Sequence, residues 1–177
     1  MEAAEQADGW LAWCRDRDIF VACSGEFVDA VAQELRHLAG IILEIGAGSG
    51  ELAAALHKRD VPVLATDPIP MGPNVTKLAA RDALARYRPE TVLSSFLPVD
   101  AGIEADILRS PGVRHYLYIG PVIMGRVGPD ALWSVPQWRA KTLPEINRAL
   151  ISRLDSLPDF TRRTHQRGAG AVLLERT

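Results

Sequence analysis

The sequence predicts an α/β fold, doubly wound around a mostly parallel seven-stranded sheet that ends in an antiparallel hairpin. Three observations carry that expectation. An unalternated, apolar-dominated run at residues 41–45 leads into glycines at 46, 48 and 50, then into an alanine-rich helical run ending at Leu56. A strand buried on both faces, a glycine turn and a helix, in that order, open a nucleotide-binding βαβ unit. Further apolar runs at 61–66, 75–80, 91–95 and 113–119 alternate with helix-forming stretches, as parallel strands joined by crossover helices require. Finally, 160–166 and 171–176 read as strands around Gly168-Ala169-Gly170, and so short a connection requires an antiparallel pair.

Before the first strand, residues 2–17 read as a helix with Trp10, Trp13 and Cys14 on one face. Ser24 is placed to cap a second helix over 26–38, in which Phe27, Ala30, Val31, Glu34, Leu35 and Leu38 recur at helical spacing. Gly40 closes it. The first crossover helix spans 50–58, and its basic end, His57-Lys58-Arg59, suits the negative end of the helix dipole. The second strand ends at Asp67. After the third, Asp82 reads as the cap of a helix over 83–88 that Pro89 ends. Ser94-Ser95-Phe96-Leu97-Pro98 forms the tip of the fourth strand. A helix over 103–109 precedes the fifth strand, whose His115 lies at its start, away from the ligand end. Residues 120–136, broken by three glycines and three prolines, predict an irregular connection. The helix over 143–154 carries Ile146, Leu150, Ile151 and Leu154 on one stripe.

At 177 residues the chain is one domain. Hydrophobic residues make up 47% and charged residues 24%, ordinary globular values. A net charge of −2 disfavours a protein that wraps a nucleic-acid backbone. Cys14 and Cys23 have no metal-type spacing, and no His, Cys, Asp or Glu cluster calls for a metal. The acidic start and the lack of a long apolar run predict a cytoplasmic protein with no membrane segment.

The glycine turn narrows the ligand. A dinucleotide fingerprint needs its third glycine one residue later, where Glu51 stands, and Glu44 lies two residues before the first glycine. The pattern Glu44-x-Gly46-x-Gly48-x-Gly50 resembles the first motif of the class I S-adenosylmethionine-dependent methyltransferases, a Rossmann-like family. The resemblance implies that Glu44, Gly46, Ala47, Gly48 and Gly50 wrap the methionine part of S-adenosylmethionine. Asp67, about 20 positions on at a strand tip, is placed to accept both ribose hydroxyls; as an Asp-Pro turn starter it would have a local reason as well. Asp82-Ala83 resembles the motif that meets the adenine ring. Ser94, Ser95 and Phe96 would face the methionine end and the substrate. Here the chain departs from the Asn/Asp-Pro-Pro-Tyr/Phe motif of members that methylate exocyclic nitrogens. Residues 1–38 would supply a lid and 120–142 a substrate loop. The resemblance thus implies methyl transfer by in-line displacement to a small molecule rather than a protein. A catalytically silent domain of the same fold and an NAD(P)-dependent oxidoreductase are the alternatives. No catalytic base stands out: Asp100, Glu104 and His165 are unplaced, and Arg162, Arg163 and Arg167 suit either an anionic substrate or a charged edge strand.

Overall fold

The computed structural model describes residues 2–98, 101–123, 125–133, 135–156 and 168–177. Among these, helices α1 (Glu2–Asp16) and α2 (Gly25–Leu35) precede strand β1 (Ile42–Ile45). Ser24 caps α2 as expected, its hydroxyl accepting the Phe27 amide at 3.3 Å. There follow α3 (Glu51–His57), β2 (Val63–Asp67), a two-residue β3 (Thr76–Lys77), α4 (Ala80–Tyr87), β4 (Thr91–Ser95), α5 (Ile103–Arg109) and β5 (His115–Ile123). Then come β6 (Arg126–Val127), β7 (Trp138–Thr142), α6 (Pro144–Ala149) and β8 (Ala169–Arg176).

The sheet runs β3-β2-β1-β4-β5-β8-β7, with β6 pairing off the end of β5. Strands β1 to β5 are parallel, and β8 lies antiparallel between β5 and β7. The strand order reverses between β1 and β4, so their carboxyl ends border a crevice.

Side-chain alternation divides the core in two. Ile42, Leu93, Leu117, Ile119 and Leu173 pack on one face with α2, α3 and α6. Leu43, Ile45, Val92, Tyr116, Tyr118 and Leu174 pack on the other with α4 and α5. By the same alternation Glu44 points to the face of Ile42, and it is only 2% exposed.

The antiparallel partner of β8 differs from the expected one. It is β7, which arises at the end of the stretch expected to supply a substrate loop, 120–142, while the expected strand over 160–166 lies outside the described residues. Residues 138–142 read WRAKT, polar enough to pass for loop. At a sheet edge one face stays wet, so only Trp138 is buried there. The expected long helix after it is shorter, α6 followed by a 3-10 turn at Arg153–Ser156.

The last strand is locked by Arg176. Its guanidinium donates to the carbonyls of Val113 (2.8 Å), Leu108 (2.9 Å) and Ser110 (2.7 Å) and stacks on Trp138. Leu108 and Ser110 end α5, where carbonyls have no partner within the helix and a positive charge is favoured. Arg176→Met should therefore lower unfolding free energy by on the order of 3 kcal/mol. Arg176→Lys should recover only part of that loss, because one ammonium cannot span three carbonyls. Denaturant titration of both variants checks this.

Candidate functional site

At the switch point a cleft of about 560 Å³ opens over the β1–α3 turn. The structure brings Glu44, Gly46, Ala47, Gly48, Asp67, Ser95 and Phe96 to its walls, together from three strand tips. The other expected residues lie elsewhere. Ser94 is fully buried on the opposite sheet face, its Oγ 2.8 Å from the Tyr116 hydroxyl. Gly50 is the buried cap of α3 rather than a cleft residue. Asp82 is exposed on α4 and Ala83 is fully buried beneath it. Neither reaches the cleft, because α4 starts at Ala80 and its cap position is Ala79, with no side-chain bond. The segment Ala79-Ala80-Arg81 is a good helix former and extends the helix upstream of Asp82.

The turn itself is built from three glycines with different tasks. A Cβ on Gly46 would fall 2.4 Å from Leu97, and one on Gly50 2.6 Å from Val75, so both let buried side chains pack against bare backbone. Gly48 has φ +53, and a Cβ there would meet only the tip of Met71, at 3.2 Å. Its open side lines the cleft. The loop after β2 braces this turn: the Met71 amide donates to the Gly48 carbonyl at 2.9 Å, and Gly72 packs on the Ser49 carbonyl.

Asp67 is part of that brace. One carboxylate oxygen accepts the Gly48 amide at 2.9 Å and the other the Ile69 amide at 2.8 Å. The residue thus shapes the glycine turn before any ligand arrives, and each oxygen keeps lone pairs for another donor. Asparagine retains only one acceptor oxygen. Asp67→Asn should therefore cost ~1–3 kcal/mol of stability, and a melting curve of the free protein should show it. Stability equal to the parent's would mean the two amide bonds contribute nothing.

Glu44 is the most unusual group in the cleft. One side of its carboxyl accepts the amide of Ala53, the third residue of α3, and so replaces the cap that Gly50 cannot supply. Its Oε2 is buried and has no hydrogen-bond partner among the described residues. Burial pushes its pKa up to about 8, against the Ala53 bond that lowers it, and nearby Asp67 raises it further. An unpartnered buried carboxyl oxygen on a cavity wall is a costly arrangement that a ligand donor would relieve. Asp18, Glu51 and Asp67 add negative charge to the same walls, against one guanidinium, that of Arg17, among the described lining residues. The cleft is suited to a cationic ligand.

The remaining wall includes a segment within the expected lid region, 1–38, of which the sequence assigned no individual residue to the site. The arm between α1 and α2 contributes Arg17, Asp18, Ile19, Phe20, Val21 and Cys23. It is pinned by an antiparallel bridge between Val21 and Ser152 and by the bonds Ala22 N–H to Ile151 O and Arg153 N–H to Phe20 O. No local pattern reveals a strap that forms across some 130 residues of chain. Burial and the carboxylates of Glu51 and Glu44 push the Cys23 thiol up to about 12, which keeps it in the weakly reactive thiol form near neutral pH. His115 lies at the start of β5, away from the cleft. Glu104 is buried in α5 on the opposite face, and Asp100, His165, Arg162, Arg163 and Arg167 lie outside the described residues. Among the described residues no group of three or more His, Cys, Asp or Glu is placed to hold a metal ion, and no helix is long and apolar enough to cross a membrane.

No family profile and no curated protein matches this sequence. Solved structures do. A Burkholderia thailandensis 1,6-didemethyltoxoflavin-N1-methyltransferase, crystallised with 1,6-didemethyltoxoflavin and S-adenosylhomocysteine, superposes with a TM-score of 0.57 at 12% identity. The match covers 99% of this chain and 88% of that one. The chain has the class I methyltransferase fold. The 23S rRNA methyltransferase ErmE shares this fold with a TM-score of 0.54 at 13% identity, over 89% of this chain and 70% of that one. An S-adenosylmethionine-dependent methyltransferase from Archaeoglobus fulgidus gives 0.51 at 13% identity, over 84% and 94%. Within the methyltransferase fold the cleft described above occupies the carboxyl ends of the central strands, where open α/β sheets bind their ligands.

Proposed function

We propose that this protein is an S-adenosylmethionine-dependent methyltransferase acting on a small molecule. The observation that carries the reading is the unpartnered Oε2 of buried Glu44, set beside a bare Gly48 backbone in an acidic cleft. S-adenosylmethionine carries an ammonium and a sulfonium, the two cations such a cleft favours. Glu44 would take the ammonium, Gly48 the close backbone approach, and Asp67 the ribose hydroxyls across the turn. Bound S-adenosylmethionine supplies a methyl on a sulfonium sulfur: the acceptor–carbon bond forms as the carbon–sulfur bond breaks, the electron pair stays on sulfur and the acceptor's proton leaves to solvent.

With the methyl already activated, the residues here have to align and exclude water rather than abstract a proton, and alignment can contribute ~7–11 kcal/mol. That fits a cleft whose described lining holds one cysteine, kept as a neutral thiol, and no histidine. Two of the structural relatives are named for acceptors as different as 1,6-didemethyltoxoflavin and 23S rRNA. The small-molecule reading rests instead on the net charge of −2 and on the acidic cleft, both of which oppose a phosphate backbone.

Calorimetric titration with S-adenosylmethionine, S-adenosylhomocysteine and NADH tests the proposal. Saturable heat with the first two and none with NADH is expected. A folded protein that gives heat with none of them overturns the cofactor reading, and one that binds NADH alone is an oxidoreductase. Labelled-methyl transfer to a cell extract then separates the enzyme, which is expected to turn over, from a catalytically silent cofactor-binding domain, which does not.

A further inference from the structure

Phe96 is the one non-glycine residue of the cleft's strand tips held at positive φ, +56. An aromatic residue in the left-handed region is strained, and such strain persists only where the surroundings enforce it. Here both sides enforce it. The Phe96 amide is fixed to the Ile119 carbonyl at 2.8 Å, and Leu97 is buried against Gly46. The turn sets a half-exposed ring into the cleft wall at the tip of β4.

The ring does not stand alone. Phe20, on the arm, lies with its ring centroid 5.5 Å from that of Phe96, the planes tilted by 32°. The Arg153 guanidinium sits 3.5 Å from the Phe20 centroid, and the arm's backbone bonds to 151–153 hold that layer in place. Arg153, Phe20 and Phe96 therefore form a stack assembled from three distant parts of the chain. The same cleft is also lined by apolar Ile19, Val21 and Pro98. Ser95 offers a hydroxyl with no hydrogen-bond partner among the described residues.

We propose that this stack is the acceptor platform, and that the methyl acceptor is a flat aromatic or heteroaromatic small molecule. It would lie as the next layer of the stack and present a ring-edge oxygen or nitrogen to the methyl group. The proposal rests on the methyltransferase reading above. A platform with a fixed ring and apolar surroundings gains from planarity, through quadrupole-matched stacking beyond the area buried. An aliphatic acceptor of the same size fills the space without that gain. The methyl transfer balances as given above, with the ring-edge hydroxyl or amine losing its proton to solvent.

The test uses the full chain saturated with S-adenosylhomocysteine. Naphthol and its fully saturated counterpart, both uncharged and of similar size, are titrated by calorimetry, and each variant is melted to show that it folds. Naphthol is expected to bind about three- to tenfold more tightly than the saturated alcohol. Phe96→Leu should remove that preference, and Phe20→Leu should reduce it. Equal affinity for the two alcohols, no binding of either up to solubility, or a preference that survives Phe96→Leu overturns the platform while S-adenosylhomocysteine binding stands. A folded protein that does not bind S-adenosylhomocysteine overturns the methyltransferase reading itself.

Discussion

Gly48→Val is expected to leave no measurable S-adenosylmethionine binding at concentrations that saturate the parent, with the protein still folded. Gly48 has φ +53, where a β-branched residue costs on the order of 1–3 kcal/mol, and its missing Cβ faces the cleft rather than the core. The valine side chain would therefore occupy the volume that the ligand needs. Its neighbours in the motif behave differently. Valine at Gly46 or Gly50 would collide with Leu97 or Val75, both buried, so those variants should lose fold and binding together. Ser49→Ala should be mild, because Ser49 is exposed and supplies its backbone carbonyl, not its hydroxyl, to the packing of Gly72. A melting curve and a titration on the four variants separate these outcomes. Parent-like binding by a folded Gly48→Val would mean that the turn does not touch the ligand.

Glu44→Gln should move stability and binding in opposite directions. In the free protein burial holds the Glu44 carboxyl at about 8, whereas in the unfolded chain it ionises near its ordinary value of 4.5. A raised folded-state pKa means that folding takes up a proton between those values. The contribution is fully present below about 4.5 and is lost as pH rises through about 8. Glutamine cannot ionise and still offers an oxygen to the Ala53 amide. At pH 8 the variant should therefore be more stable than the parent, by on the order of 4 kcal/mol, and at pH 4.5 the difference should all but vanish. Binding should weaken instead, about ten- to a hundredfold, since an ammonium loses its charged partner.

The parent's affinity should also rise with pH from 6 to 8, with a proton released on binding, and Glu44→Gln should abolish that slope. Melting curves across pH and titrations in two buffers of different ionisation enthalpy give both readouts. A variant that is less stable at pH 8 and binds like the parent would make Glu44 a helix cap and nothing more.

The β1–α3 unit was legible in the sequence because its determinants are local. An apolar strand, glycines at alternate positions and an alanine-rich helix each impose their conformation through near neighbours. The spacing to Asp67 was legible for the same reason, being one crossover helix and one strand long. From these the sequence alone determined the parallel half of the sheet, the position of the crevice and the cluster Glu44, Gly46, Gly48 and Asp67.

Where a residue's role depends on which way a helix or edge strand settles, local pattern was insufficient. Asp82 had the chemistry of a cap, yet α4 begins upstream of it, because a run of good helix formers extends the helix. Ser94 and Ser95 are adjacent and alike in sequence. Pleating sends the first to Tyr116 in the core and leaves the second at the cleft. The polar strand β7 was unreadable as a strand, since an edge strand packed on one side carries little apolar signal. Only the tertiary structure decided that Asp67 braces Gly48, that Glu44 keeps an oxygen without a partner, and that Arg153, Phe20 and Phe96 stack beside them. Each of these joins segments far apart in the chain, and their contact energies exist only once the sheet has fixed both partners in space.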